Sequence, residues 1–392
     1  MSVIAATAND FPPHAAEIAT AMESALNYPA LAAEVDRTVA QALASAAVSG
    51  ARRIFLAGSG DSYFAALSAA PALARWTGLP VQATTAMDLA RYQIPVMGEG
   101  DLVVSISNSG SSSRARECVA LAKSKGLATL GVTGTLEGQL ARTADAVIHR
   151  PVGEISGIPE RYGRCYLNFA EYVAVLQALY VFGIELGKRG GTLDAAAAVR
   201  LRADLEASVA MLPEAAATID ATARTVARSV HGIDTIFAIG VGPSRGTAAY
   251  SAAKFHEQMP INGVHQDLEE WAHLEYFLTY FNWRERSVAL VIAPPGNSAD
   301  RAREIVEGMA GAGGRALLVA PASAAVEGTF AHFEMPEMLD DFLSPMVYHL
   351  PAQLLVLYMA HLAGIERVPM RRTDGFRLIA GSAIREDVAT LS

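Results

Sequence analysis

Apolar residues along the chain gather in short runs that end in glycine and serine, each followed by a longer stretch of helical character. Ile54–Ala57 is such a run, and it ends in Gly-Ser-Gly. Behind it, Ser62–Trp76 is Ala-rich and reads as helix. Leu102–Ile106 is a second run, with "SRARECVALAKSKG" as the helix behind it and Gly126 as its stop. "ATLGVT" (Ala128–Thr133) is a third. Strand-length runs alternating with helices predict parallel strands in a sheet covered on both faces. The spacing gives three strands in this half of the chain.

The same order returns further on. "IFLAGSGDS" at Ile54 is echoed by "IFAIGVGPS" at Ile236, and "VVSISNSGSSSRARE" by "LVIAPPGNSADRARE". "LATLGVTG" is echoed by "RALLVAPA", and "LQALYVFGIELGKR" by "LLVLYMAHLAGIER". Four matches in one order at a near-constant offset imply two copies of one domain, too few for a solenoid. The expected fold class is therefore α/β, with two tandem domains of three layers each, helix on sheet on helix. The expected boundaries are a helical extension over 1–33, packed on the outside, a first domain over 34–190, a helical linker over 191–229, a second domain over 230–368, and a tail over 369–392.

Composition narrows the partners. The chain has 392 residues and a formal charge of −9, with 52% apolar and 18% charged residues, enough for sizeable cores. An acidic balance argues against nucleic acid. Two cysteines, Cys118 and Cys165, make neither a disulfide framework nor a zinc pattern, so a reducing cytoplasm is expected. The first residues lack the pattern of a signal peptide. The apolar run "EYVAVLQALYVFGIELGK" is interrupted by Glu171, Gln177 and Glu185, which suits a buried helix better than a membrane span.

Candidate chemistry sits where parallel strands end, since ligands of open parallel sheets bind beyond the carboxyl ends of the strands. Two loops lie there in the first copy, "GSGDS" (Gly58–Ser62) and "SNSGSSS" (Ser107–Ser113). Each leads into a helix, whose N-terminus offers unpaired N–H groups and a partial positive charge. Ser107, Ser109 and Ser112 thus make a candidate phosphate cradle without Lys or Arg. Helix capping by serine is the competing explanation, but one cap needs one serine. Neither loop has Walker or dinucleotide spacing. The sister loop, "APPGNSA", has prolines in place of donors and few hydroxyls.

The second copy carries "KFHEQMPINGVHQDLEEWAHLEYF". There Glu257, His265, Asp267, Glu269, Glu270, His273 and Glu275 crowd together. A carboxylate with a histidine is the usual pairing for moving protons beside a carbonyl. The histidines lack metal-site spacing, so no metal is expected. A solvated acidic helix explains Asp267 and Glu269, and explains less well Glu257 in an otherwise apolar helix.

Together these residues resemble the sugar isomerase (SIS) domain family, in particular tandem members such as the isomerase half of glucosamine-6-phosphate synthase and the fructosamine-6-phosphate deglycases. The resemblance runs from about Glu34 to the C-terminus. "ISNSGSSS" is similar to the family's phosphate loop, which implies that Ser107, Asn108, Ser109 and Ser112 contact a sugar phosphate. "SGDSY" implies Ser59, Gly60, Asp61 and Ser62 near the ligand. "KFHEQ" implies Glu257 as the catalytic base. "EWAH" implies His273 as the ring-opening histidine, supplied in relatives by a neighbouring subunit, hence a homodimer with shared sites.

The tail departs from that family. Where the synthase has a lysine that forms a Schiff base with the ketose, "LIAGSAIRE" places Gly381, and no lysine follows Lys254. Ser2 stands where a glutaminase nucleophile would be. The expected enzyme therefore works by acid–base chemistry on a plain or amino-substituted sugar phosphate, as an isomerase or deaminase. It needs no cofactor and engages neither nucleic acid nor membrane. A deglycase, or a non-catalytic sugar-phosphate sensor, is the alternative. Arg371, Arg372 and Arg377 in "MRRTDGFR" either close over the ligand or form a surface patch.

Overall fold

In a computed structural model, the structure describes residues 15–26, 28–153, 160–280, 285–338, 340–365 and 383–387. Ser2, Arg371, Arg372, Arg377 and Gly381 lie outside these, as does the Cys165 side chain. In order, the elements are α1 (Ala15–Leu26), α2 (Tyr28–Ala44), α3 (Ala46–Ser49), β1 (Arg53–Gly58), α4 (Asp61–Thr77), β2 (Val81–Thr85), α5 (Ala86–Asp88), β3 (Asp101–Ile106), α6 (Ser113–Ser124), β4 (Ala128–Thr133), α7 (Gln139–Thr143) and β5 (Ala146–His149). Next come α8 (Glu160–Gly190), α9 (Ala195–Ala210), α10 (Leu212–Ser229), β6 (Thr235–Ile239), α11 (Pro243–Gln258), β7 (Asn262–Gln266), α12 (Leu268–His273), β8 (Ser287–Ile292), α13 (Ala299–Gly311), β9 (Ala316–Ala320), β10 (Ala331–Glu334) and α14 (Leu350–Leu362).

The chain divides into two compact units. The first takes in Ser24–Glu154 and Leu167–Ala207, with Pro369–Ser392; the second takes in Met1–Glu23, Ile155–Tyr166 and Ser208–Val368. Each holds one five-stranded, wholly parallel sheet. The orders are β2-β1-β3-β4-β5 and, read from the other edge, β7-β6-β8-β9-β10, which is the same topology twice. Helices flank each sheet. The fold class is thus the α/β one that the alternating pattern predicts.

One expectation needs correction. Each sheet has five strands rather than three, because the strands missed lie at or toward the edges. β2 and β5 leave side chains partly exposed: β2 is interrupted by Gln82 and ends in two threonines, and β5 has only Ala146, Val147 and Ile148 before His149, whereas β3 is buried throughout. α1 buries one face, with Ile18, Met22, Ala25 and Leu26, and exposes the other, with Glu17, Thr20 and Ser24.

Alternation sorts the central strands between faces. Phe55, Ala57 and Val103 join Leu89, Cys118 and Leu121 in one cluster under α5 and α6. In the second unit Phe237, Ile239, Ala289 and Val291 do the same with Leu268, Trp271, Ile305 and Val306 under α12 and α13. Two segments, Phe169–Gly190 and Asp341–Leu362, are long and apolar enough to span a membrane, but 89% and 94% of their most apolar windows are buried, as in core helices. Lys188 and Arg189 close the last turn of α8, where cations suit the helix dipole.

The duplication extends to the turn after each first strand. Gly60 (φ 56°) and Gly242 (φ 58°) both precede the helix in a backbone conformation that disfavours a Cβ. A Cβ on Gly58 would lie 2.7 Å from the carbonyl carbon of Ser62, and one on Gly240 would lie 2.5 Å from the Ser244 oxygen. The following helix therefore sits tightly on the strand end in both copies. Gly58→Ala and Gly240→Ala are each expected to cost about 1–3 kcal/mol, read as a lower denaturant midpoint; tolerance at either position would show that the two turns are not equivalent.

The outer strand β5 is tied to α2. His149 Nδ1 meets Glu34 Oε1 at 2.7 Å, and the His149 N–H donates to Thr38 Oγ1 at 3.2 Å. The Arg37 guanidinium, followed by His149, holds Glu34 down at about 2 from its ordinary 4.5. A depressed carboxylate adds stability above its unfolded value, and that contribution is lost as pH falls through the folded one. The stability gap between wild type and Glu34→Gln should accordingly close between about 4.5 and about 2 in urea titrations at stepped pH.

Candidate functional site

The strand order opens the first sheet at one place. The step from β1 to β2 goes one way along the sheet and the step from β3 to β4 goes the other. Right-handed crossovers then put α4 and α6 on opposite faces. β1 and β3 are neighbours, with Ala57 level with Ser105. Their two outgoing loops therefore part company side by side, which makes the crevice where such sheets bind ligands.

The loop after β3 is held from behind by backbone. The Ser107 N–H donates to the Val132 carbonyl at 3.0 Å, and the Gly110 N–H returns to the Ser107 carbonyl at 3.2 Å. Asn108 O accepts from the Gly134 N–H at 3.0 Å and from Thr133 Oγ1 at 3.2 Å. Gly110 O accepts from the Leu140 N–H at 3.0 Å. Gly110 has φ 62°, and a Cβ there would come within 3.1 Å of the Gly138 Cα. Only glycine fits this corner.

The serines divide by role. The Ser105 hydroxyl donates to the Ala115 carbonyl at 2.9 Å and pins α6 to its strand. Ser107 is buried at the loop base. The Ser109 and Ser111 hydroxyls lie 2.7 Å apart on the exposed side, and the Ser111 N–H donates to Ser109 Oγ at 3.3 Å. Ser112 occupies the N-cap of α6, yet its side chain makes no capping bond. The simple capping account fails at the one position where it applies.

The loop after β1 is different in charge. Ser59 and Gly60 are exposed, and Asp61 and Ser62 are half-buried in the first turn of α4. Gly60 O accepts from the Tyr63 and Phe64 N–H groups at 2.8 and 3.0 Å. A carboxylate at Asp61 suits its own helix N-terminus but repels a second anion. The serine loop, with no acidic side chain, is the better anion seat.

One feature of this region escaped the sequence reading. Glu117 is fully buried and is gripped by two guanidiniums, Arg91 at 2.8 Å and Arg114. Arg114 also donates through Nη2 to the Ala383 carbonyl of the tail at 2.5 Å. The i, i+3 spacing in "RARE" signalled the Arg114–Glu117 pair; nothing in the sequence signalled Arg91 or Ala383. The repeated Arg301–Glu304 pair of α13 lies on the surface, with Glu304 62% exposed.

In the second unit, α11 carries Lys254 and Glu257, joined at 2.8 Å. Lys254 is fully buried, whereas the Glu257 side chain is 45% exposed, so the buried charge in this helix is the lysine's. His273 ends α12 with its side chain 68% exposed, 3.3 Å from Glu269. Arg301 binds Glu269 at 2.7 and 3.1 Å and holds its carboxyl below the usual range. Asp267 caps α12 through the Glu269 N–H at 3.0 Å, and Glu275 accepts from Gln266 at 2.8 Å. His265 is pulled below its ordinary value by burial and then by Arg245. Most of the acidic stretch thus has structural work. Among the described residues no group of three or more His, Cys, Asp or Glu could hold a metal ion.

The structure does not bring Glu257 and His273 of one chain together. α11 crosses one face of the second sheet on its way from β6 to β7, while α12 packs on the other face with α13. The sheet stands between them.

Residues 47–181 match the family model described as SIS domain. The chain is 26% identical over 318 residues to a glutamine–fructose-6-phosphate aminotransferase (isomerizing) of Bradyrhizobium diazoefficiens, covering 80% of this chain and 50% of that protein. The chain therefore spans about half the length of that relative. The C-terminal domain of glucosamine-fructose-6-phosphate aminotransferase from Francisella tularensis superposes with a TM-score of 0.75 at 19% identity, covering 92% of this chain and 98% of that one. A glucosamine-6-phosphate deaminase from Thermotoga maritima gives 0.64 at 17% identity, covering 90% and 98%. At these identities the superpositions establish the fold.

An idle cap hydroxyl has a measurable signature. Ser112→Ala should leave the unfolding free energy, measured by urea titration, within about 0.5 kcal/mol of wild type; a capping serine would lose about 1 kcal/mol.

Proposed function

We propose, from the match of residues 47–181 to the SIS domain model, that the chain is a sugar-phosphate enzyme that seats its phosphate on the Ser107–Ser112 loop and moves protons with Glu257. The observation that carries this reading is the set of hydroxyls on this turn: Ser109 and Ser111 lie exposed 2.7 Å apart, and Ser112 at the N-cap of α6 makes no capping bond. Hydroxyls, a helix N-terminus and close backbone approach suit a phosphate dianion. Ser59, Gly60, Asp61 and Ser62 on the neighbouring loop would meet the sugar.

The chemistry follows from the groups. His273 opens the sugar ring and exposes the carbonyl. Glu257, held by the Lys254 ammonium at 2.8 Å, is the carboxylate that accepts the proton. It takes the proton from C2 and returns it at C1, through an enediol or, where C2 bears nitrogen, an enolamine. In the second case the resulting C2 imine adds water and loses ammonia, leaving a ketose phosphate. A lysine imine from the tail has no place, since no lysine follows Lys254. The position of His273 across the sheet from Glu257 supports a homodimer in which a second copy lends the histidine. The relatives named for aminotransfer and deamination of glucosamine or fructose 6-phosphates support amino sugar phosphates as the class.

Two measurements test this. Glucosamine 6-phosphate and fructosamine 6-phosphate should raise the melting temperature while glucosamine does not, and ammonia or amine release should follow. Glu257→Gln should lower turnover by about 10²–10⁴-fold while keeping the thermal shift, and Ser109→Ala with Ser112→Ala should weaken the shift. Binding without conversion by the wild type would make the chain a sensor, and turnover retained in Glu257→Gln would remove the mechanism.

A further inference from the structure

The charged pair of α11 is backed by side chains to which the reaction above assigns nothing. Lys254 Nζ lies 4.7 Å from the centroid of the Tyr250 ring, one turn earlier on the same helix. Tyr250 is fully buried, and its hydroxyl accepts from Gln353 Nε2 of α14 at 2.8 Å. The His349 ring, just before α14, meets the Tyr250 ring edge-on, with centroids 6.0 Å apart and planes at 64°. His349 is fully buried and neutral at physiological pH, since burial pushes it down to about 3. The ring is thus clamped by an amide and a neutral imidazole from α14, while α11 itself presents the Lys254 ammonium and the Glu257 carboxylate.

A buried ammonium is costly unless it is paired, and lysine responds by losing its proton. A ring face within about 6 Å attracts it, more strongly as water is excluded. Glu257, nearly half exposed, is by itself a leaky counter-charge. We infer that Tyr250 is a positioning residue: its ring, fixed by Gln353 and His349, keeps Lys254 charged and aimed at Glu257. Only the step that makes Glu257 a base rests on the proposed function.

The chain's lysines are four, Lys123, Lys125, Lys188 and Lys254. Protein labelled with ¹³C at lysine Cε therefore gives four signals, and Lys254→Arg identifies the one of interest. In wild type and Tyr250→Phe, the Lys254 signal should titrate at the same pH. In Tyr250→Met, which keeps bulk but loses the ring, it should titrate roughly one unit lower, with Tyr250→Leu as the replacement if the Met variant does not fold. An unmoved Lys254 titration in a folded ringless variant overturns the inference. The titration needs no substrate, so an inert wild type would defeat the proposed reaction and still leave the role of Tyr250 decided.

Discussion

Parallel strands cannot be joined by a tight turn; each must be reached by a crossover, and crossovers are right-handed. In a sheet ordered β2-β1-β3-β4-β5 that rule sends the chain to opposite faces after β1 and after β3. The two strands sit side by side, so their loops separate and leave a crevice at the carboxyl edge. Nothing about the ligand is needed to create it. The serine loop, the Gly58–Gly60 turn and the N-termini of α4 and α6 all derive their positions from this one topological reversal, and the second sheet repeats it at Gly240–Gly242 and Ala293–Ala299.

The sequence was most legible where one physical term dominates. β1, β3 and β4 are buried on both faces and announce themselves as apolar runs. β2 and β5 each pair with one neighbour and leave side chains partly exposed; β2 mixes Gln82 and two threonines with its apolar residues, and β5 offers only three apolar residues before His149. The serine loop stood out because hydroxyls are abundant there beyond any capping need. Tyr250 and Gln353 could not be seen, because a tyrosine in an Ala-rich helix and a glutamine in an apolar one acquire meaning only once α11 lies against α14. Arg91 and Glu117 are the same case, twenty-six positions apart and joined by the fold.

The two copies also show how one motif takes two values. Arg114–Glu117 and Arg301–Glu304 share spacing and helix position. In the first copy the carboxylate is buried between two guanidiniums and ties the helix to its surroundings; removing one partner would leave a charge in a dry place. In the second the same pair is solvated and contributes little.

The turn that cradles the candidate phosphate is shaped mainly by backbone atoms: carbonyls and amides of Ser107, Asn108 and Gly110 against Val132, Gly134 and Leu140, with two glycines in contact at the corner and the Thr133 hydroxyl on the Asn108 carbonyl. Its outline owes little to the side chains that would touch a ligand, of which Ser109 accepts from the Ser111 N–H. Those side chains are therefore free to be exchanged without rebuilding the turn, so that ligand preference and architecture can evolve as separate traits. The sister loop, with Ala293, Pro294 and Pro295 where the first has Ser107, Asn108 and Ser109, and with Gly296 kept at the corner, is what such an exchange leaves behind.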